Sequence, residues 1–337
     1  MSVVKAVVYY RYGSPDVLSV QEVPKPVPKD TDIVIRVEAA EASKGDCELR
    51  SFNFPVKWFV PLLRLVMGVT KPRRPILGGY FSGVVAQCGS KVSRFAPGDP
   101  VFGSTGFGMG AYGEYLLLSE DASVALMPTN ASFVQAAAIP MGGLNALHFM
   151  NKAQIQPGMK VLVNGAGGSI GSYVVQIAKA RGAHVTAVDS GLKAAALLAL
   201  GVDRFINYEQ QDFVSENHRY DVVFDVVSHS NYKANLSVLT DTGHYLTANP
   251  RLSVMFQSVM TNRFTPKQAT FSFAKESLEE LSALKGLFET GAILPMIDKV
   301  YPMAQAADAH WRVETEQRLG IVVIDVSGLN GTKPEGN

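Results

Sequence analysis

A glycine-rich turn set between a strand and a helix constrains this chain more than any other stretch. Lys160 to Asp189 reads KVLVNGAGGSIGSYVVQIAKARGAHVTAVD. Val161, Leu162 and Val163 form a short apolar run of buried-strand type, while Val174, Val175, Ile177 and Ala178 recur at helical spacing. Between them lies Ala166-Gly167-Gly168-Ser169-Ile170-Gly171. A small first residue permits the sharp turn, Gly168 lets backbone approach a pyrophosphate, and Gly171 lets the helix pack closely on the strand. The helix start at Ser169 offers free N–H groups and a positive dipole end to phosphate. A second apolar run, His184 to Val188, ends at Asp189, 23 residues after Ala166, near the distance at which a dinucleotide site places its acidic residue. Strand, turn, helix and acid in that order predict dinucleotide binding, which a glycine cluster alone would not.

The rest of the chain must house that unit. At 337 residues it is long enough for two domains, and 47% hydrophobic content is that of a globular protein. A net charge of +1 gives no reason to expect nucleic acid or an acidic membrane as partner. Cys47 and Cys88 offer neither a disulfide framework nor a four-cysteine zinc lobe, which fits a reduced, cytoplasmic setting. MSVVKAVVYYRYG reads as a strand and lacks the basic region and long apolar core of a signal peptide. Val56 to Val69, the most apolar window, is broken by Lys57, Pro61 and Arg64 and is too short to span a bilayer, so no stable membrane insertion is expected; a membrane-surface role is a weaker alternative.

From Val3 to Leu118 short runs such as KAVVYY, DIVIRVEA and FSGVVAQCG alternate with prolines and glycines, the chemistry of strands and turns. Phe54 to Gly68 reads as a short inserted helix, either a cover over a substrate site or a surface-packed insertion. An alanine-rich helical link from Ser132 leads into the fingerprint. KVLVNG, HVTAVD, RFINY, YDVVFDVV, GHYLTA and ATFSF then supply the six strands of a doubly wound sheet. SLEELSALKGLFETG is a strongly periodic helix that stops at a glycine. IDKVYPMAQAADAHWRVETEQRLGIVVIDV is expected to add one helix and one strand, and 327–337 reads as a polar, disordered tail.

In order and spacing, PILGGYFSGVVAQCGSKVSRFAPGDPVFG, AAAIPMGGLNAL, the fingerprint and AHWRVETEQRLGIVVI resemble the medium-chain dehydrogenase/reductases, and within them the zinc-independent, zeta-crystallin-like quinone oxidoreductases. The resemblance implies an α/β chain in which a doubly wound Rossmann domain, 131–274, is inserted in a β-rich GroES-like catalytic domain, 1–130 plus 275–326. The active site would lie in the cleft between them, at the carboxyl ends of the strands. It also implies a homodimer joined sheet to sheet, with ATFSF near Phe271 as the unpaired edge.

Zinc-dependent relatives carry cysteine, histidine followed by glutamate, and cysteine where this chain has Ser43, Gly79 followed by Tyr80, and Met141. A hydroxyl, a hydrogen and a thioether do not replace thiolate, imidazole and thiolate as zinc ligands, so no catalytic metal is expected. The histidines at 148, 184, 218, 229, 244 and 310 show no ligand spacing and are read as solvated or capped. Without a Lewis acid, an acceptor that holds its own electron sink, a quinone or an α,β-unsaturated carbonyl, is favoured over an ordinary alcohol.

The resemblance marks three catalytic candidates. Tyr80 is a phenol that stays protonated at neutral pH and can steady or protonate an enolate, or else fills the space of the missing ligands. Tyr112 matches a tyrosine near the nicotinamide, or packs its loop. Asp46 braces its loop rather than transferring protons, and Lys44 beside it has no matched role. For the cofactor the resemblance implies Asn145, the Ala166-to-Gly171 turn, Val227 and Ala248. Asp189 is the residue type that holds both ribose hydroxyls of NADH, whereas Ser190, Lys193 and Tyr208 match positions that hold the 2′-phosphate of NADPH. NADPH is favoured on the condition that Asp189 turns away from the ribose. The competing readings are an NAD-linked dehydrogenase of an activated alcohol or carbonyl, and a nucleotide-binding protein with little catalysis.

Overall fold

The structure is a computed structural model that describes residues 2–249, 251–272 and 274–328. Most of the expected polar tail, residues 329–337, and Phe273 of ATFSF lie outside the described residues.

The amino-terminal piece contains β1 (Val3–Val8), β2 (Ser19–Pro24), β3 (Asp32–Ala42), helices α1 (Lys44–Ser51) and α2 (Val60–Met67), then β4 (Tyr80–Cys88), β5 (Pro100–Ser104), β6 (Tyr115–Ser119) and β7 (Val124–Leu126). β3 is its axis. Eleven residues long and buried along most of its length, it pairs antiparallel with both β4 and β6. Ser43 ends β3 and starts α1 through a capping box: its side chain accepts from the Asp46 N–H while the Asp46 carboxylate accepts from the Ser43 N–H.

The link from Ser132 is two helices, α3 (Phe133–Ala137) and α4 (Pro140–Ala153), because Pro140 cannot continue the first helix's hydrogen bonds. The inserted unit follows as β8 (Lys160–Asn164), α5 (Ser169–Ala180), β9 (His184–Asp189), α6 (Ala194–Ala199), β10 (Arg204–Asn207), β11 (Tyr220–Asp225), α7 (Tyr232–Ser237), β12 (Leu239–Thr247), α8 (Leu252–Phe264) and β13 (Gln268–Phe271). Its six strands are all parallel, in the order β10-β9-β8-β11-β12-β13, so the order reverses between β8 and β11 and β13 is an edge. β8 is nearly all apolar because helices cover both faces of such a sheet.

Helix α9 (Leu278–Glu289) ends before Gly291, whose φ of 74° only glycine adopts without strain. Leu281, Leu284 and Phe288 seat it in the apolar cluster of α4, α5 and the parallel sheet. The carboxyl-terminal piece adds β14 (Ile297–Pro302), α10 (Ala306–Glu314) and β15 (Ile321–Asp325) to the first sheet. This corrects the expectation of one strand there. IDKVYP is a partly exposed strand beside the buried β15, so its polar residues hide the alternation.

Candidate active site

Register brings the carboxyl ends of the parallel strands level: Asn164 pairs with Asp225, and Asp225 with Thr247. A polar cluster fixes the loop that follows β11. The buried Asp225 carboxylate accepts from Asn164 Nδ2 at 3.1 Å, Asn235 Nδ2 at 3.0 Å, the Tyr245 hydroxyl at 2.9 Å and the Val227 N–H at 3.1 Å. Val227 thus stands 40% exposed on a fixed loop, and Ala248 packs partly buried beyond β12. Asn145, on α4, spends its side-chain N–H on the Met141 carbonyl.

The fingerprint turn is a cradle without room to spare. Gly168 caps α5 with backbone alone, so no side chain claims the first-turn N–H groups, and they are left for an anion. A Cβ at Gly171 would lie 2.2 Å from the Gly165 carbonyl oxygen, and one at Gly167 would lie 2.3 Å from Cδ of Lys193. Ala166 is fully buried and Ile170 packs on the core, which fits both for support rather than contact.

Asp189 does not face a ribose. Its Oδ2 accepts from the Gly167 N–H at 2.7 Å, while Oδ1 accepts from the Ser190 N–H at 2.8 Å and pairs with Lys193 Nζ at 3.2 Å. Both oxygens are spent on the turn and on the lysine that resemblance assigned to phosphate. Tyr208 is 59% exposed just beyond β10, its N–H bonded to the Asp189 carbonyl. Ser190, Lys193 and Tyr208 therefore share one corner around Asp189.

The amino-terminal piece carries a different chemistry. Ser43 is spent on its capping box, with Oγ donating to Asp46 at 2.5 Å. A Cβ at Gly79 would meet nothing within 4 Å, so the position of the missing histidine is open space. Among the described residues no cluster of three or more histidine, cysteine, aspartate or glutamate side chains is poised to hold a metal. Tyr80 beside it donates to Glu276 Oε1 at 2.6 Å, and Ser104 donates to the other oxygen of the same carboxylate at 2.5 Å. Burial, and then the Glu276 charge, push the Tyr80 phenol far above its ordinary pKa, so it stays protonated.

Asp46 and Tyr112 are buried. Asp46 accepts from the Ser43 and Gly78 N–H groups at 3.1 and 3.0 Å, and burial raises its pKa, so it ties α1 to the turn before β4. Tyr112 is fully buried, with its hydroxyl 3.1 Å from Nε2 of His310. Nδ1 of His310 lies 3.3 Å from Arg50 Nη1, which can only donate. Nε2 therefore carries the proton and donates to Tyr112, whose own proton is shared between the Asp46 carboxylate and the Glu41 carbonyl at 3.4 Å. His310 is neither solvated nor capped: it is fully buried, and burial beside Arg50 depresses its pKa to about 3. That corrects the reading made for it from spacing, which carries no information about depth.

Sequence reasoning missed Glu276, Glu41 and the Asp225 cluster. Glu41 ends β3 fully buried, accepts from Ser169 Oγ at 3.2 Å, and leaves Oε2 without a partner. Burial pushes its pKa to about 8 despite Arg318 nearby. A carboxyl on the catalytic sheet thus touches the first residue of the phosphate-facing helix. An acid within an apolar strand was a visible signal; its partner, 128 residues away, was not. A cavity of about 450 Å³ joins the halves, lined by Lys44, Glu48, Phe54, Ser228 and His229 among others. Another, of about 440 Å³, lined by Lys160, His184 and Tyr220, opens at the amino ends of the parallel strands, away from this chemistry.

The comparisons agree with this geometry. Residues 29–129 match the family model described as alcohol dehydrogenase GroES-like domain, and residues 200–324 the one described as zinc-binding dehydrogenase. The 2-methylene-furan-3-one reductase of Solanum lycopersicum is 31% identical over 336 residues, which cover 96% of this chain and 79% of that one. The chain is a medium-chain dehydrogenase/reductase. The chain is also 30% identical to the chloroplastic NADPH-dependent alkenal/one oxidoreductase of Arabidopsis thaliana, over 95% of its own length and 79% of the relative's. Its place in the quinone oxidoreductase branch is seen in the structure of the quinone oxidoreductase from Coxiella burnetii, with a TM-score of 0.84, 28% identity, and coverage of 96% and 100% of the two chains.

Proposed function

We propose that the protein is a zinc-independent, NADPH-dependent reductase of quinones and α,β-unsaturated carbonyls. The observation that carries the cofactor choice is the inward turn of Asp189. A carboxylate bonded to Gly167 and neutralised by Lys193 neither grips two ribose hydroxyls nor repels a 2′-phosphate as a free one does. Ser190, Lys193 and Tyr208 would hold that phosphate, the Gly168–Ile170 backbone the pyrophosphate, and Val227, Ala248 and Asn145 the nicotinamide end. Bound there, NADPH supplies hydride, which a quinone or the β-carbon of an enone accepts because its conjugated carbonyl carries the resulting charge without a metal. Zinc independence rests on the donors themselves, since the hydroxyl of Ser43, the bare Gly79 and the thioether of Met141 are not a zinc set.

Tyr80 stands beside the open space at Gly79 as a protonated phenol. Its proton faces Glu276 and becomes available to an acceptor oxygen only as that bond is exchanged. Asp46 and Tyr112 act by position, one through the Gly78 backbone and the other through His310. A homodimer joined along the β13 edge and a cytoplasmic setting complete the reading; the thiols of Cys47 and Cys88 are free, and no described helix is long and apolar enough to cross a membrane.

The test is NADPH oxidation against a panel of small quinones and enones, with Michaelis constants for both reduced cofactors. Turnover well above background with a lower constant for NADPH is expected. Preference for NADH would return Asp189 to the ribose, and tight nucleotide binding with no acceptor turned over would mark a binding protein.

A further inference from the structure

Helix α2 is apolar on every side but covered on only one. Val60, Leu63 and Met67 pack inward with Phe52 and Phe54. Leu62, Leu65 and Val66 form an outer stripe at i, i+3 and i+4, and they are 66%, 60% and 55% exposed. Trp58 and Val69 flank it, 46% and 57% exposed. A helix with apolar residues all round normally lies in a core, so the outer stripe calls for a cover.

The charge around the helix identifies the cover. From Leu49 to Gly98 the sequence has no aspartate or glutamate, and although Arg50 is buried on Glu314 and Lys91 pairs with Asp30, Lys57, Arg64, Lys71, Arg73 and Arg74 lie on and beside the helix in a chain whose net charge is +1. Lys57 before the helix and Lys71, Arg73 and Arg74 after it are exposed. Lys57 donates to the neutral Asn53 side chain, and Arg73 and Arg74 donate to the carbonyls of Val66 and Phe107. A second copy of this chain on the stripe would set these cations against their own kind. A surface of anionic lipid takes both the apolar side chains and the charges.

We propose that α2 and its flanks form a peripheral docking face for an anionic bilayer, with Leu62, Leu65 and Val66 below headgroup level and Lys57, Lys71, Arg73 and Arg74 on lipid phosphates. The same segment reaches the cavity of about 450 Å³ between the halves, which Phe54, Pro55 and Lys57 help to line. On the reductase reading, docking brings that cavity to the phase in which apolar quinones and enones concentrate.

The test uses the full chain, without cofactor or acceptor, so its failure is separable from failure of the reductase reading. Protein is sedimented with phosphatidylcholine vesicles with and without phosphatidylglycerol, at low and high salt. Partition at least about tenfold stronger on the anionic vesicles, lost at high salt, is expected. The triple variants Leu62→Ser/Leu65→Ser/Val66→Ser and Lys71→Gln/Arg73→Gln/Arg74→Gln should each weaken it about tenfold while leaving turnover of a water-soluble quinone unchanged. Equal pelleting with neutral vesicles, no pelleting, or variants that bind like the parent would overturn the proposal. So would an oligomer that the apolar triple variant dissociates.

Discussion

Two glycine corners of the molecule, the fingerprint turn and the turn before β4, are built on opposite plans. At the fingerprint turn a Cβ on Gly171 runs into backbone at 2.2 Å, and the one acid nearby, Asp189, is bound on both oxygens. At Gly79 a Cβ meets nothing within 4 Å, and the phenol beside it is held by a single carboxylate. The first corner is fitted to a cofactor that does not vary. On the proposed reading, the second leaves room for acceptors that do. Rigidity is concentrated where the ligand is fixed.

The largest effect expected from breaking that contrast comes from adding bulk to each corner. Gly171→Val should cost about 3 kcal/mol, because the neighbour is backbone and cannot step aside, whereas Gly79→Ala should stay within about 0.5 kcal/mol. Urea unfolding of the two variants measures both, and equal losses would erase the distinction. Next in size, Lys193→Gln should raise the Michaelis constant for NADPH about tenfold or more, with little change for NADH, in steady-state assays at fixed acceptor.

The two tyrosines sharpen the comparison further. Tyr80→Phe should lower kcat for an enone about tenfold with little change in KM. Tyr112→Phe should leave kcat within about twofold and cost about 1 kcal/mol of stability, the usual worth of one buried hydrogen bond. Undiminished kcat in Tyr80→Phe would reduce that residue to packing.

A further contrast is a slope in pH. Glu41 keeps its proton in the folded chain up to about 8, while the unfolded chain releases it in the ordinary carboxylate range. Its contribution is full below that range and is lost as pH rises towards 8. His310 works the other way: folded, it refuses a proton down to about 3, so stability falls as pH drops below the ordinary histidine range. Glu41→Gln should flatten the alkaline slope and leave the acid slope untouched, as read from melting temperatures between pH 5 and about 9.

How much of this could be read from the chain depended on distance along it. All six strands of the parallel sheet were legible because each is a compact apolar run, and the fingerprint was legible because strand, turn and helix are adjacent. The Ser43–Asp46 cap is likewise local. Glu276 was invisible as a partner because Tyr80 lies 196 residues away. Tyr80 and Tyr112 looked alike in sequence, since nothing near either reports that one bonds Glu276 while the other is sealed against His310. β14 escaped notice because its alternation is half polar, and the inward turn of Asp189 depends on a lysine only four positions on whose choice of partner is geometric.

The Glu276 carboxylate sits between β13 and α9, and from there it grips Tyr80 at the start of β4 and Ser104 at the end of β5. One side chain thereby ties together two strands of the amino-terminal sheet. Freeing the phenol's proton therefore means exchanging its bond to that carboxylate. An enzyme wired this way would keep its acid in reserve until there is something to protonate.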